Sequence, residues 1–135
     1  MSTPARPIPR LDLVGIVVRD MKASLAFYRL LGLDLPAEAD TEGHVEVRVG
    51  DLRLAWDTED VIRSFDPQWR APTGGARMSL AFALPTPTDV DATYRHVTAH
   101  GAFGHLEPFD APWGMRYAVL HDPDGNAVDL FAPLA

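Results

Sequence analysis

The sequence predicts an α+β domain in which two tandem β-α-β-β-β units form a concave sheet cup. Three observations carry this. A run of strand, helix and further strands occurs twice in the same order. Each predicted helix stops at a glycine, Gly32 in the first copy and Gly101 in the second. A segment with two prolines and two glycines, Asp66 to Ala76, separates the copies.

The elements follow in chain order. Leu11 to Val18 is mostly apolar, as in a strand covered on both faces. Asp20 stands where an N-cap belongs, before a helix from about Met21 to Leu31. Its expected core stripe is Ala23, Phe27, Leu30 and Leu31. A short strand is expected around Leu33 to Leu35. His44 to Val49 and Leu52 to Trp56 read as a hairpin across Gly50-Asp51. Thr58 to Phe65 reads as a short helix. In the second copy, Arg77 to Leu84 is a strand and Thr88 is the expected helix cap, with Asp91 completing a capping box. Val90, Tyr94 and Val97 form that helix's core stripe. Strands follow around Phe103 to Phe109, Met115 to His121 and Asn126 to Phe131.

These boundaries give a flexible lead-in over residues 1–10 and one domain over 11–135. Unit one spans about 11–57, the linker about 58–76 and unit two about 77–132. One helix covers only one face of each sheet. The other face is left concave, to line a cleft or meet a partner, and a site is expected between the two units.

Composition narrows the function. The chain has 135 residues, 47% of them apolar, enough for one domain with a real core. Its net charge of −7 argues against nucleic acid and against an anionic membrane surface, both of which need basic clusters. A cationic or neutral small molecule suits that charge better. With no cysteine there is no disulfide, thiol nucleophile or thiolate metal site. The opening MSTPARPIPR has no apolar run and reads as a lead-in, not a signal peptide. No segment approaches the roughly 18 apolar residues of a membrane span. A soluble cytoplasmic protein is expected.

The most telling segment is the last hairpin. Asp122-Pro123-Asp124-Gly125-Asn126 is a turn, with Pro123 presetting one residue and Gly125 and Asn126 suited to positive φ. The strand after it carries one acid, Asp129, among Ala127, Val128, Leu130 and Phe131. An acid there is costly to bury without a partner, so it marks chemistry, a ligand or a structural hydrogen bond.

The repeated unit, the segment VVRDMKASLAFYRLLGL and the hairpin HDPDGNAVDLF together resemble the vicinal oxygen chelate superfamily, which includes glyoxalase I, extradiol dioxygenases and bleomycin-resistance proteins. The resemblance runs from about Leu11 onward. It implies the glyoxalase/bleomycin-resistance fold. In the family's enzymes it also implies a divalent metal held by His or Glu on the concave face. Carried onto this chain, the ligand positions fall on Leu13 and Ser79 in the first strands. In the last strands they fall on Leu54, four residues after Gly50, and Asp129, four after Gly125. Leucine cannot coordinate, a serine hydroxyl is a poor divalent ligand, and one carboxylate does not make a three- or four-ligand site. No metal and no other cofactor are expected.

A narrower similarity joins AEADTEGH, RLAWDTEDVIRSFDPQWRAPTGG and GHLEPFDAPWGMRYAVLHDPDGN to the mitomycin-binding antibiotic-resistance proteins and related drug-binding members. There the resemblance implies a metal-free cup, a drug lying against aromatic side chains, and resistance by sequestration. It also implies a homodimer whose partner strands complete the cup.

If Leu13, Leu54, Ser79 and Asp129 face the cup, strand alternation adds Gly15, Leu52, Trp56, Ala81, Ala127 and Phe131. The family pattern adds Met115, Tyr117 and Val119. Trp56 and Trp113 then become candidate ligand contacts, with Tyr117, Met115 and Phe131 beside them, Phe109 close to Trp113, Trp69 in the linker and His44 at the cup mouth. Each of these aromatic residues also has a plain reading as core or dimer contact. Asp129 has three readings: acceptor for a ligand amine or hydroxyl, partner of Arg48 or Arg116, or remnant general base. Ser79 either donates to the ligand or to Asp129, or simply fills the strand. His96 and His100 stand at i, i+4 but lack the Glu of a zinc helix, and read as a surface pair. Gly74-Gly75 precedes a strand and cradles no phosphate.

The expected function is metal-independent binding and sequestration of an aromatic small molecule, with antibiotics as the leading class. The alternatives are a glyoxalase- or dioxygenase-type metalloenzyme with unusual ligands, and a metal-free lyase or isomerase using Asp129 as base.

Overall fold

Seven strands fall into two sheets, and the hairpin turns dictate how they pair. The structure, a computed structural model, describes residues 6–135. Of the expected lead-in, residues 1–5 lie outside the described residues, and 6–10 are exposed and form no helix or strand. In the first unit, β1 (Leu13–Val18) leads to helix α1 (Met21–Leu30), a 3-10 turn at Ala37–Thr41, β2 (His44–Val49) and β3 (Leu52–Thr58). Helix α2 (Glu59–Phe65) opens the linker. The second unit is β4 (Ser79–Ala83), α3 (Pro87–Ala99), β5 (Phe103–Asp110), β6 (Met115–His121) and β7 (Ala127–Pro133). The sheet orders are β1-β3-β2 and β4-β7-β6-β5. In each, the unit's first strand pairs in parallel with its last, as a crossover helix requires.

The second unit therefore has its four strands, but the first has three. Leu33 to Leu35 forms no strand, because its neighbourhood is already hydrogen-bonded another way. Leu33 N donates to Tyr28 O at 3.1 Å, closing the end of α1. The Arg29 guanidinium then takes the carbonyls of Leu35 and Pro36, each at 2.7 Å. A side chain thus supplies donors that a neighbouring strand would have supplied.

The helix ends are built as short-range chemistry dictates. Asp20 accepts from Ala23 N at 3.1 Å and caps α1. Helix α3 starts two residues earlier than expected. Thr86, not Thr88, is the cap, Asp89 completes the capping box, and Pro87 sits at the first turn, where its missing N–H costs nothing. Asp91 is freed for another role. The buried stripe of α1 also differs, running through Met21, Ser24, Leu25, Phe27 and Tyr28.

One core spans both units. Ile16, Val18, Leu25, Tyr28, Leu54 and Trp56 of the first join Val90, Val97, Leu120, Val128 and Leu130 of the second. The units are also stitched by polar bonds. Tyr28 Oη donates to Asp122 Oδ2 at 2.7 Å, and Arg19 N donates to Asp124 Oδ1 at 3.1 Å. Among the described residues no helix is long and apolar enough to cross a membrane.

The register corrects one strand. Val14 aligns with Leu54 and Ile16 with Trp56. Neighbours in register share a face, so Leu54 and Trp56 point into the core with Val14 and Ile16. They do not face the cup. The open face of β3 carries Arg53, Ala55 and Asp57 instead.

Candidate functional site

The open face of the second sheet is assembled from four strands. Ser79, Ala81 and Ala83 of β4 align with Ala127, Asp129 and Phe131 of β7. Tyr117 and Val119 of β6 align in turn with Phe131 and Asp129, and Phe109 of β5 aligns with Tyr117. Alternation places Met115 on the same face. The opposite face, Val128, Leu130, Ala118 and Leu120, is buried in the core.

This face has a clear division. On the β4–β7 side it is floored mainly by small side chains, Ser79, Ala81, Ala83 and Ala127, with Phe131 at one end. On the β5–β6 side stands an aromatic corner. Trp113 and Tyr117 have ring centroids 5.4 Å apart at 79°, and Phe109 meets Tyr117 at 6.2 Å and Trp113 at 6.4 Å. All three contacts are edge-to-face, the favoured geometry for aromatic pairs. Trp113 remains 59% exposed, a large apolar ring left in water.

Asp129 sits between floor and wall and is only 9% exposed. Its Oδ2 accepts a short hydrogen bond from Tyr117 Oη. Burial, then the bond to Asp129 and its charge, push the Tyr117 phenol up to about 12. Neither of the expected arginines reaches it. Arg116 lies between Met115 and Tyr117, so it turns to the helix side, where Nε donates to Asp91 at 2.9 Å and Nη1 to Asp110 at 3.0 Å. Arg48 is an exposed residue of the other sheet. Ser79 makes no hydrogen bond to Asp129; its cross-strand neighbour is Ala127.

The remaining sequence candidates are dispersed. Trp56 is 0% exposed and packs against Tyr28 with centroids 5.3 Å apart, so it belongs to the core and not to a ligand surface. Trp69 and Ser79 line a groove of about 430 Å³ between the edges of β1 and β4, with Gly15, Arg19, Glu59, Asp124 and Asn126. Arg63 lies 5.1 Å from the Trp69 ring centroid, a cation–π contact within the linker. Within it Arg19 lies 3.7 Å from Asp124, and it presents one partly covered ring.

His44 stands on the open face of the first sheet. Nδ1 is 2.6 Å from Asp57 and Nε2 3.0 Å from Glu46. Arg53 bridges onward from Glu46 to Asp12. Hydrogen bonds to Asp57 and then Glu46 raise the His44 imidazole above its ordinary value. The bond to His44, and then that to Arg53, lowers Glu46. Sequence reading reached His44 but missed Glu46, Arg53 and Asp57. The signal was present in β2, where His44, Glu46 and Arg48 alternate with Val45, Val47 and Val49.

The corrected register also corrects the metal positions. Gly15 aligns with Ala55 as Ala81 aligns with Asp129, so the counterpart of Asp129 is Ala55 and not Leu54. The donor set at these positions is then Leu13, Ala55, Ser79 and Asp129, with the Asp129 carboxylate already bonded to Tyr117. Such a set does not fit a divalent N/O site. Among the described residues no three or more His, Asp or Glu side chains gather to hold a metal ion.

Comparison with known proteins agrees with this architecture. The family model described as glyoxalase/bleomycin resistance protein/dioxygenase superfamily matches residues 10–130. The uncharacterized protein YwbC of Bacillus subtilis (strain 168) is 29% identical over 126 residues, covering 90% of this chain and 96% of its own. A glyoxalase/bleomycin resistance protein/dioxygenase family enzyme from Burkholderia phytofirmans PsJN superposes with a TM-score of 0.81 at 23% identity, over 93% of this chain and 100% of that one. A glyoxalase/bleomycin resistance protein/dioxygenase from Nocardioides gives 0.74 at 27% identity, over 98% and 87%.

Proposed function

This chain belongs to the glyoxalase/bleomycin resistance protein/dioxygenase superfamily, and we propose that it binds and sequesters an aromatic small molecule, an antibiotic among the candidates, without a metal. The observation that carries this is the corner of half-buried Phe109 and Tyr117 with exposed Trp113, beside the small-residue floor and Asp129. A flat ring laid on the floor meets aromatic walls. Each favourable aromatic pair adds about 0.5–1.5 kcal/mol beyond the area buried. The donor set argues against the family's metal chemistry at this face. In the same reading two copies pair, and the second chain closes the open side of the cup.

Tryptophan fluorescence tests this directly, because Trp113 reports from the site. Titration with mitomycin-like, bleomycin-like and quinone compounds should give saturable quenching that Trp113→Phe removes. The compound should be recovered unchanged. Turnover that Asp129→Asn abolishes while binding survives would replace sequestration with a metal-free lyase or isomerase, for which the Tyr117–Asp129 pair is the available acid–base couple. Light scattering at increasing concentration tests the dimer.

A further inference from the structure

We infer that the ligand of this cup carries a cationic group, a protonated or quaternary amine on its flat body, and that Asp129 receives it. The inference rests on the aromatic-binding reading above and specifies the chemistry of the ligand.

Asp129 is a nearly buried carboxylate with an incomplete set of partners. Tyr117 satisfies Oδ2, and Oδ1 has no hydrogen-bond partner among the described residues. Nor is Oδ1 sealed away. Among the described residues it is not one of the side-chain atoms that are both closed off from solvent and without a hydrogen-bond partner. Its cross-strand neighbours are Ala81 and Val119, which bring no charge.

Arg116, on the strand beside Asp129, is held by Asp91 and Asp110 and turned away from this face. Among the described residues no ion pair forms at Asp129. A neutral ligand covering this carboxylate would strip its water and leave its charge uncompensated, which is costly. A ligand cation would complete it.

The walls favour the same ligand. Phe109, Trp113 and Tyr117 meet edge-to-face, and the Trp113 ring remains 59% exposed. Ring faces attract cations, Trp most strongly. A phenol donating to the carboxylate also holds Oδ2 in place, while Oδ1 has no hydrogen-bond partner among the described residues. The net charge of −7 adds a weak long-range attraction of the same sign.

The test compares two rings of the same shape. At neutral pH 9-aminoacridine is protonated and acridine is not. Fluorescence titration should show the amine binding about 10- to 100-fold more tightly, the range for a hydrogen bond to a charged group. Asp129→Asn should close that gap while leaving acridine unchanged. Tyr117→Phe keeps the carboxylate and should keep the gap, so it guards against a folding defect in the first variant. Equal binding of the two rings, or a gap that survives in Asp129→Asn, overturns the inference while the aromatic site stands. If neither ring binds, the aromatic-site reading falls and this inference falls with it.

Discussion

Tyr28 on α1 and Asp122 at the last hairpin are both buried and share a 2.7 Å hydrogen bond, 94 residues apart in sequence. Asp122 also accepts from Asp124 N, Asn126 N and Asn126 Nδ2 at 2.9–3.0 Å. One carboxylate thus folds the turn and ties the second unit to the first unit's helix. Tyr28→Phe should cost about 1–3 kcal/mol in urea unfolding, because it strips a donor from a buried acid. Asp122→Ala should cost more, since the turn loses its acceptor as well. Burial, then Asp122, raise the Tyr28 phenol above its ordinary 10.0. That contribution is present below pH 10 and is lost as pH rises further. Alkaline melts should therefore fall less steeply in Tyr28→Phe than in the wild type.

Trp56 and Trp113 should separate stability from binding. Trp56→Ala empties a fully buried site and should cost about 3–5 kcal/mol. Trp113→Ala should change unfolding by no more than about 1 kcal/mol while abolishing ligand-induced quenching. Acrylamide should quench Trp113 in the folded protein and spare Trp56. If Trp56 is the ring that responds to ligand, the register at β3 is wrong.

The His44 imidazole holds its proton more tightly when folded, through Asp57 and then Glu46. Its contribution to stability is full below the ordinary value of 6.5 and disappears as pH rises through the folded value. NMR titration of the ring proton should place the midpoint above 6.5. Asp57→Asn should bring it down more than Glu46→Gln does.

Gly104 is fixed by contact and not by φ. A methyl group there would lie 2.0 Å from Tyr94 Oη and 2.7 Å from Tyr94 Cζ. Gly104→Ala should therefore cost about 1–3 kcal/mol by thermal unfolding. Tyr94→Phe removes the hydroxyl and should recover part of that loss in the double variant.

The repeated unit was legible because its signals are local. Asp20 before an amphipathic run, Gly32 and Gly101 after one, and Gly50-Asp51 between alternating residues each act within a few positions. The second unit's open face was legible too, since Ser79, Ala81, Asp129 and Tyr117 alternate in step with their apolar neighbours. The first unit's face was not. Counting four residues on from Gly50, as from Gly125, assumed equivalent turns. The first hairpin pairs Val49 with Leu52, while the second pairs His121 with Ala127 across a longer loop. The two turns leave opposite faces at the same count, and a one-residue difference sends every side chain to the other side. Trp56 was misplaced for that reason alone. The missing strand at Leu33 to Leu35 had a different cause, since only the folded chain brings Arg29 to the carbonyls of Leu35 and Pro36.

By itself, the sequence determined the two-unit plan, the glycine stops of the two long helices, the final hairpin and the solitary acid in its last strand. These depend on residue spacing and turn chemistry, which act over a few positions. Only the tertiary structure decided that Trp56 is core while Phe109 and Trp113 pack on the Tyr117 that donates to Asp129, and that Arg116 faces away from it. Those outcomes depend on inter-strand register and on competition among distant partners. Asp91, 25 residues from Arg116, holds the guanidinium that sequence reading had offered to Asp129.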